Sequence, residues 1–378
     1  MRKTESTLNV IWGLLVRIVL VAVLVWIVWK IKSVLITVVL AAMLTYVLLP
    51  AVEFLCARRF IPYISRRGQR LIASVLVFAA FFFVVGLGVK ILIAPIKIET
   101  ENFIRSVPEY NARLQESIED VQDWYTKNVP EDWQEFIGEQ DFRDVGSGIG
   151  KQLGSVIKST VEWLGNILEI VLIPVLAFYF VLDSRWLKRE FIAMIPPWHV
   201  RDALRIMREV GGILQSYVIG QLILCIIAGI LTWIVLHVSG MNYALMLAVF
   251  AGVTRAIPVI GPVVSGVPIC LLGLLQSPML GLYLMIFVIV MHFVESKFIM
   301  PILIGDRMKL HPAVVLIVLL MGAELFGILG MFLAAPIAAI AREMIYFYVI
   351  QPRRSKQLKK TKGNGELASA VVRSERIN

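Results

Sequence analysis

The sequence predicts an all-α membrane protein, a polytopic helical bundle with two opposed re-entrant helical hairpins and a small helical extracytoplasmic insert. Three observations predict it. The chain is 58% hydrophobic and 17% charged, with a mean hydropathy of +0.80, whereas soluble domains lie nearer half apolar and a quarter charged. Apolar runs of about bilayer-crossing length recur between residues 11 and 350. Two of the later runs are interrupted by proline and glycine, where a helix would otherwise hydrogen-bond to itself.

Ile11 to Trp29 is the first predicted span, with Trp12, Trp26 and Trp29 near its ends as interfacial anchors. No small-residue cleavage site follows it and a second run begins at Ser33, so an uncleaved anchor is expected rather than a signal peptide. Ser33 to Leu55 and Leu71 to Pro95 are spans two and three, and 1–97 is read as an N-terminal three-helix unit. Residues 98–160 change character: Lys97 to Lys151 carries six Lys/Arg against thirteen Asp/Glu, and Ile104, Val107, Leu114, Ile118, Val121 and Tyr125 recur at helical spacing. That stretch is expected to be an acidic helical insert that packs between subunits or covers a pathway.

Residues 161–350 form the expected transport core. Its fourth span is Trp163 to Leu182, with Asp183 expected to end the helix. Residues 183–212 are polar and mildly basic, and Trp198, Leu204, Met207 and Val210 suit a helix lying in the interface. Ile213 to Leu236 is span five. Residues 351–378 form a basic tail, read as disordered and facing lipid, with Arg353, Arg354, Lys356, Lys359, Lys360 and Lys362.

Orientation follows from Lys and Arg in short connections. Arg58, Arg59, Arg66, Arg67 and Arg70 lie between spans two and three, and the insert after span three is acidic. The expectation is a membrane protein with both termini, and the loop Gly305 to Lys309, in the cytoplasm. Span five then ends outside, and Gly281 to Met300 returns to the inside. Between them, Tyr243 to Leu275 must leave and return on one side. Its 33 residues make about 50 Å of helix, too long for one span and too short for two.

A re-entrant hairpin meets that constraint. Pro258 and Pro262 lack a backbone donor, and Gly261 and Gly266 are expected to accept conformations that other residues avoid, so IPVIGP breaks the helix near mid-membrane. A proline-kinked span is the other reading. A second hairpin is expected between His311 and Ile350, with GAELFGILG in its middle, either re-entrant from the opposite face or a pair of full helices. Broken helices of this kind hold substrate and ion sites in secondary transporters.

Ionisable residues at membrane depth mark the candidate pathway: Arg255, Glu295 and Glu324, with Pro258, Gly261, Pro262 and Pro301 shaping the backbone around them. Arg255 either draws a polar or anionic substrate to the break or pairs with an acid. Glu295 either binds a cation or proton or snorkels to the interface near Lys297. Glu324 is read as a proton or cation group, or as solvated at a surface turn, and as the partner of Arg255 in a gate. Arg17 in span one snorkels to headgroups.

Other classes of function find no support. Cys56, Cys225 and Cys270 suit packing, with no disulfide framework or zinc site. None of the four histidines makes an HExxH spacing, and GxxxxGK[ST] is missing. No catalytic residue, metal or cofactor is expected. The net charge of +10 lies beside apolar runs and faces anionic lipid, not nucleic acid.

Four stretches together resemble the AI-2E (autoinducer-2 exporter) family of bacterial membrane proteins: Asn242 to Pro262, Glu295 to Pro312, Gly322 to Ala339 and Ile173 to Asp183. The resemblance implies a secondary transporter, since members of that family are linked to export of the quorum-sensing signal AI-2 and others to sodium/proton antiport. It also implies a homo-oligomer, with a pentamer as one candidate. The function expected is export of a small polar solute coupled to an ion gradient, not an enzyme. A sodium or other cation/proton antiporter and a membrane scaffold acting through the insert are the alternatives. The expected partners are the lipid bilayer, the solute, and sodium or protons.

Overall fold

The computed structural model describes residues 12, 15–17, 19, 20, 22, 23, 26, 27, 29–57, 65–128, 167–304 and 310–350. Outside them lie the rest of the predicted first span, residues 129–160 of the insert, the loop Gly305 to Lys309 and the basic tail. The described residues are helical without a strand, and five helices among them are long and apolar enough to cross a membrane: Lys32–Ala57, Arg66–Tyr110, Pro197–Val238, Pro278–Leu303 and Pro312–Val349. The chain is thus an all-α, multi-pass membrane protein. It divides into two compact units, one within 1–81 and 153–187, the other within 82–152 and 188–378.

The first unit is built from α1 (Lys32–Ala57), the start of α2 (Arg66–Asn128) and most of α3 (Ile167–Ala193). Its core joins Ala41, Leu48 and Val52 of α1 to Ala73 and Phe78 of α2 and Ala177 and Val181 of α3. The alanines let helix backbones approach closely, as membrane packing favours. Thr45 donates its hydroxyl to Ala41 O at 2.8 Å, so the polar group is satisfied within its own helix. Arg70 is buried because its head finds acceptors: Nε donates to Val181 O at 3.0 Å and Nη2 to the Ser184 hydroxyl.

Three helix boundaries differ from the sequence reading. No break separates span three from the acidic stretch, since α2 runs through Pro95 and Pro108 to Asn128. Charge changes the solvent a face meets, but Glu, Lys, Arg and Gln are good helix formers. Asp183 does not end its helix: it lies inside α3 and faces Arg67 at 3.9 Å across an exposed pair. The apolar stripe Trp198, Leu204, Met207 and Val210 does not mark a separate interfacial helix. After one 3₁₀ turn, Pro197–His199, α4 runs from Val200 to Val238 without interruption, about 58 Å long.

In the second unit α4 packs on α5 (Ala244–Thr254), which turns back into α6 (Ile260–Gln276), and α7 (Pro278–Val294) lies along α6. Small residues set these spacings. A Cβ on Gly252 would lie 3.1 Å from Cys225 O, and one on Gly281 would lie 2.7 Å from Leu274 Cα. Leu236, Leu247, Ala251, Ile269, Leu272 and Leu284 fill the space between the helices. A wide π-type turn, Glu295–Ile299, joins α7 to the short α8 (Met300–Ile304).

The last helix, α9 (Pro312–Ile345), is not one rod. Gly327 has φ 63° and ψ −144°, and a Cβ on Gly322 would lie 2.5 Å from Gly330 O. In a straight helix those residues would stand about 12 Å apart, so the chain reverses at Gly327 into two arms. Tyr217 of α4, fully buried, donates its hydroxyl to Phe332 O on the second arm at 2.8 Å.

Candidate functional site

Five residues, Arg255 to Val259, separate α5 from α6. Pro258 cannot donate to a helical carbonyl, while Pro262 falls in the first turn of α6, where a donor is not needed. The backbone stays satisfied through short turns: Ala256 N–H donates to Val253 O, Ile257 N–H to Thr254 O and Gly261 N–H to Ile257 O at 3.0 Å. The positive φ falls on Val259 (φ 66°, ψ −51°), a conformation a β-branched residue rarely adopts. Gly261 and Gly266 therefore do not supply unusual dihedrals. They supply room: a Cβ on Gly261 would lie 2.1 Å from Thr254 O, and one on Gly266 would lie 2.9 Å from a Val288 methyl.

The two ends of this hairpin meet. The Gln276 side chain accepts from Asn242 N–H at 3.1 Å and donates to Gly240 O at 2.9 Å. Beside it, α2 reaches over the base: Glu99 accepts from Met246 N–H at the start of α5 at 2.7 Å, and Tyr243 hydrogen-bonds to Ser106 at 3.0 Å. Phe103 and Tyr110 pack around the Tyr243 ring, and Arg113 donates to Leu275 O at 3.3 Å. A carboxylate at a helix N-terminus meets both free amides and the positive end of the dipole.

At the other end, Arg255 and Glu295 form a buried ion pair. Arg255 is 4% exposed, and its Nη1 lies 2.5 Å from Glu295 Oε2, on a carboxylate side chain 9% exposed. Glu295 therefore does not snorkel. The sequence points to Glu324 as the partner of Arg255, but Glu324 is exposed near the Gly327 reversal and makes no ion pair among the described residues. Both members of the observed pair sit on irregular backbone, Arg255 at the break and Glu295 at the head of the π-type turn. Pro301 accounts for that turn, because it has no N–H for the Lys297 carbonyl and its ring crowds it.

Of the predicted residues, the structure brings Arg255, Pro258, Gly261, Pro262 and Glu295 into one buried region and leaves Pro301 and Glu324 exposed. Two further residues belong to the cluster. Gln221 of α4, 2% exposed, donates its Nε2 to the Arg255 carbonyl. Cys225, one turn on, faces both charges. The signal for Gln221 was available: it is one of two amides, with Gln215, in the apolar run Ile213 to Leu236. Around the pair, Arg255 Nε and Gln221 Oε1 are buried without hydrogen-bond partners among the described residues.

A multi-pass helical protein with a buried ion pair at a broken apolar hairpin is built as a membrane transporter is. The comparisons agree. Residues 15–350 match the model of the AI-2E family transporter, and the chain belongs to that family. It is 29% identical over 324 residues to the Bacillus subtilis protein named "Putative transport protein YrrI", covering 84% of this chain and 88% of that one. A second B. subtilis protein, "Putative transport protein YueF", is 25% identical over 65% of this chain and 67% of its own. "Putative permease PerM" of Escherichia coli K12 is 23% identical over 51% of this chain and 56% of its own. Family and relatives support a role in membrane transport.

Proposed function

We propose that the Arg255–Glu295 pair, with Pro258, Gly261 and Pro262 shaping its backbone, is the substrate and ion site of a secondary transporter. It exports a small polar solute, an AI-2-like signal molecule or metabolite, driven by an ion gradient. The observation that supports this is the pair itself: two charges removed from water, on irregular backbone, with hydrogen-bonding groups beside them left unused. A purely structural pair has little reason to leave Arg255 Nε and Gln221 Oε1 unpartnered, since each such group is costly.

In this reading 1–97 anchors the protein, 98–160 lies outside the membrane, 161–350 carries transport, and 351–378 faces the cytoplasm with the N-terminus. Both hairpins dip into the bilayer from opposite faces, and the protein assembles as a homo-oligomer in the bacterial inner membrane. Glu324 and Pro301, both exposed, stand apart from this pair.

Flux of solutes into proteoliposomes, with and without a proton or sodium gradient, tests the reading. Gradient-driven flux is expected, and Arg255→Gln should abolish it. Equal flux in wild type and Arg255→Gln, with both proteins folded, would overturn it. The second reading is cation/proton antiport, favoured by the buried titratable Glu295. In that case cation and proton fluxes appear with no organic solute present.

A further inference from the structure

The cluster holds one buried donor and one buried acceptor that no group among the described residues satisfies. A guanidinium offers five donors in a fixed fork. Nη1 of Arg255 meets Glu295 Oε2 at 2.5 Å, while Nε, on the other edge, has no acceptor. Across the cluster Gln221 is tied by its Nε2 to the Arg255 carbonyl, and its Oε1 has no donor. Arg255 and Gln221 are 4% and 2% exposed. A ligand with an anionic oxygen for Nε and a hydroxyl for Oε1 would complete both, and a carboxylate matches the fork of a guanidinium in plane and spacing.

Charge counting adds the second half. The Arg255–Glu295 pair is neutral. An anion entering beside it would leave one uncompensated negative charge in a desolvated site, which is strongly penalised. A proton on Glu295 restores neutrality and frees the guanidinium for the anion. A bare sodium ion would instead leave one positive charge. The ionisable groups facing Glu295 are Arg255 at the end of α5 and Cys225 on α4; on its own element stand His292 and the exposed Lys297.

We propose that this site takes a small hydroxy-monocarboxylate on the free edge of Arg255, and that each anion binds together with one proton on Glu295. The proton comes from water on the loading side and returns to water on the other, so the pair crosses as a neutral unit. The proposal rests on the transport reading above, narrows its substrate and ion, and departs from it on the driving force: with proton and anion crossing together, outward flux is driven by the solute's own gradient and an inward proton gradient drives uptake.

Gluconate, which leaks slowly through lipid, is the probe, with full-length protein in vesicles enclosing a pH-sensitive dye. A gluconate gradient is expected to move protons in the same direction, one for one, at a rate unaffected by an imposed membrane potential. Apparent affinity in detergent should fall about tenfold per pH unit on the alkaline limb, the slope for one linked proton. Glu295→Gln should bind gluconate with a flat pH profile and carry it without protons. Arg255→Gln should not bind it, and Arg255→Lys, which keeps the charge without the fork, should bind it more weakly than wild type.

Gluconate flux without protons, flux that tracks the potential, or a pH slope surviving in Glu295→Gln would each overturn the proposal. So would a slope lost in Cys225→Ser or His292→Gln but kept in Glu295→Gln. If sugars or amines move down an ion gradient and gluconate does not, the substrate class falls while the transport reading stands. If no solute or cation flux depends on Arg255 and Glu295, both fall.

Discussion

Removing one member of the Arg255–Glu295 pair should destabilise the protein far more than removing both. At an effective dielectric of about 20 and roughly 4 Å between charge centres, their attraction is about 4 kcal/mol. Truncating one partner of such a buried pair typically costs about 3–5 kcal/mol, because the other charge is left without compensation. Glu295→Gln keeps an amide oxygen that can accept one bond from the guanidinium, so about 3 kcal/mol is expected. Arg255→Gln should cost at least as much. The double Gln variant removes both charges and should cost only about 1–2 kcal/mol, so the two singles together should overshoot the double by about 4 kcal/mol or more, above the ~0.5–3 kcal/mol usual for residues in contact. Unfolding of purified protein by graded SDS in mixed micelles measures all four corners of the cycle. Singles that add to the double within about 0.5 kcal/mol would refute the coupling.

Cysteines placed at Asn242 and Ser277 should both react with an impermeant thiol reagent from the same side, since Gln276 ties the two ends of the hairpin together; labelling from opposite sides would make α5 and α6 a kinked crossing. Gly261→Ala should push α6 from the end of α5, because its Cβ would meet Thr254 O at 2.1 Å, and a loss of about 1–3 kcal/mol in the same unfolding assay is expected. Gly327→Ala should cost about 1–3 kcal/mol for a different reason, its φ of 63° with open space around it. Glu99→Gln should cost about 1 kcal/mol and raise hydrogen exchange at the Met246 amide, which its carboxylate now holds.

Much of the fold was legible in the sequence because prolines and long apolar runs act locally. The break at Pro258 and the reversal within GAELFGILG both follow from residues that cannot continue a helix or need not. The conformation of Val259 was not legible, since a β-branched residue carries no signal for positive φ. The continuity of α2 and α4 was hidden because a change from apolar to charged residues reads as a boundary when the backbone has none. In the site, Arg255 and Glu295 stood out as charges among apolar neighbours. Their pairing did not, because they lie 40 positions apart and the approach depends on α7 returning along α6. Glu324 carries the same local signal as Glu295, yet the surface position of its turn separates the two.

The Gln276 contacts bear on how the protein is made. Its arms, α5 and α6, are about 16 and 25 Å long at 1.5 Å per residue, each shorter than the ~30 Å hydrocarbon core. Neither arm alone is a competent insertion signal, and an arm left in lipid without its neighbour would expose the backbone groups of the break. One amide side chain closes the chain into a ring from Gly240 to Gln276, and lengthening such a ring adds little to its entropic cost. Closing that ring needs only that synthesis has reached Gln276, by which point the residues of α4, the helix on which α5 packs, have already been made.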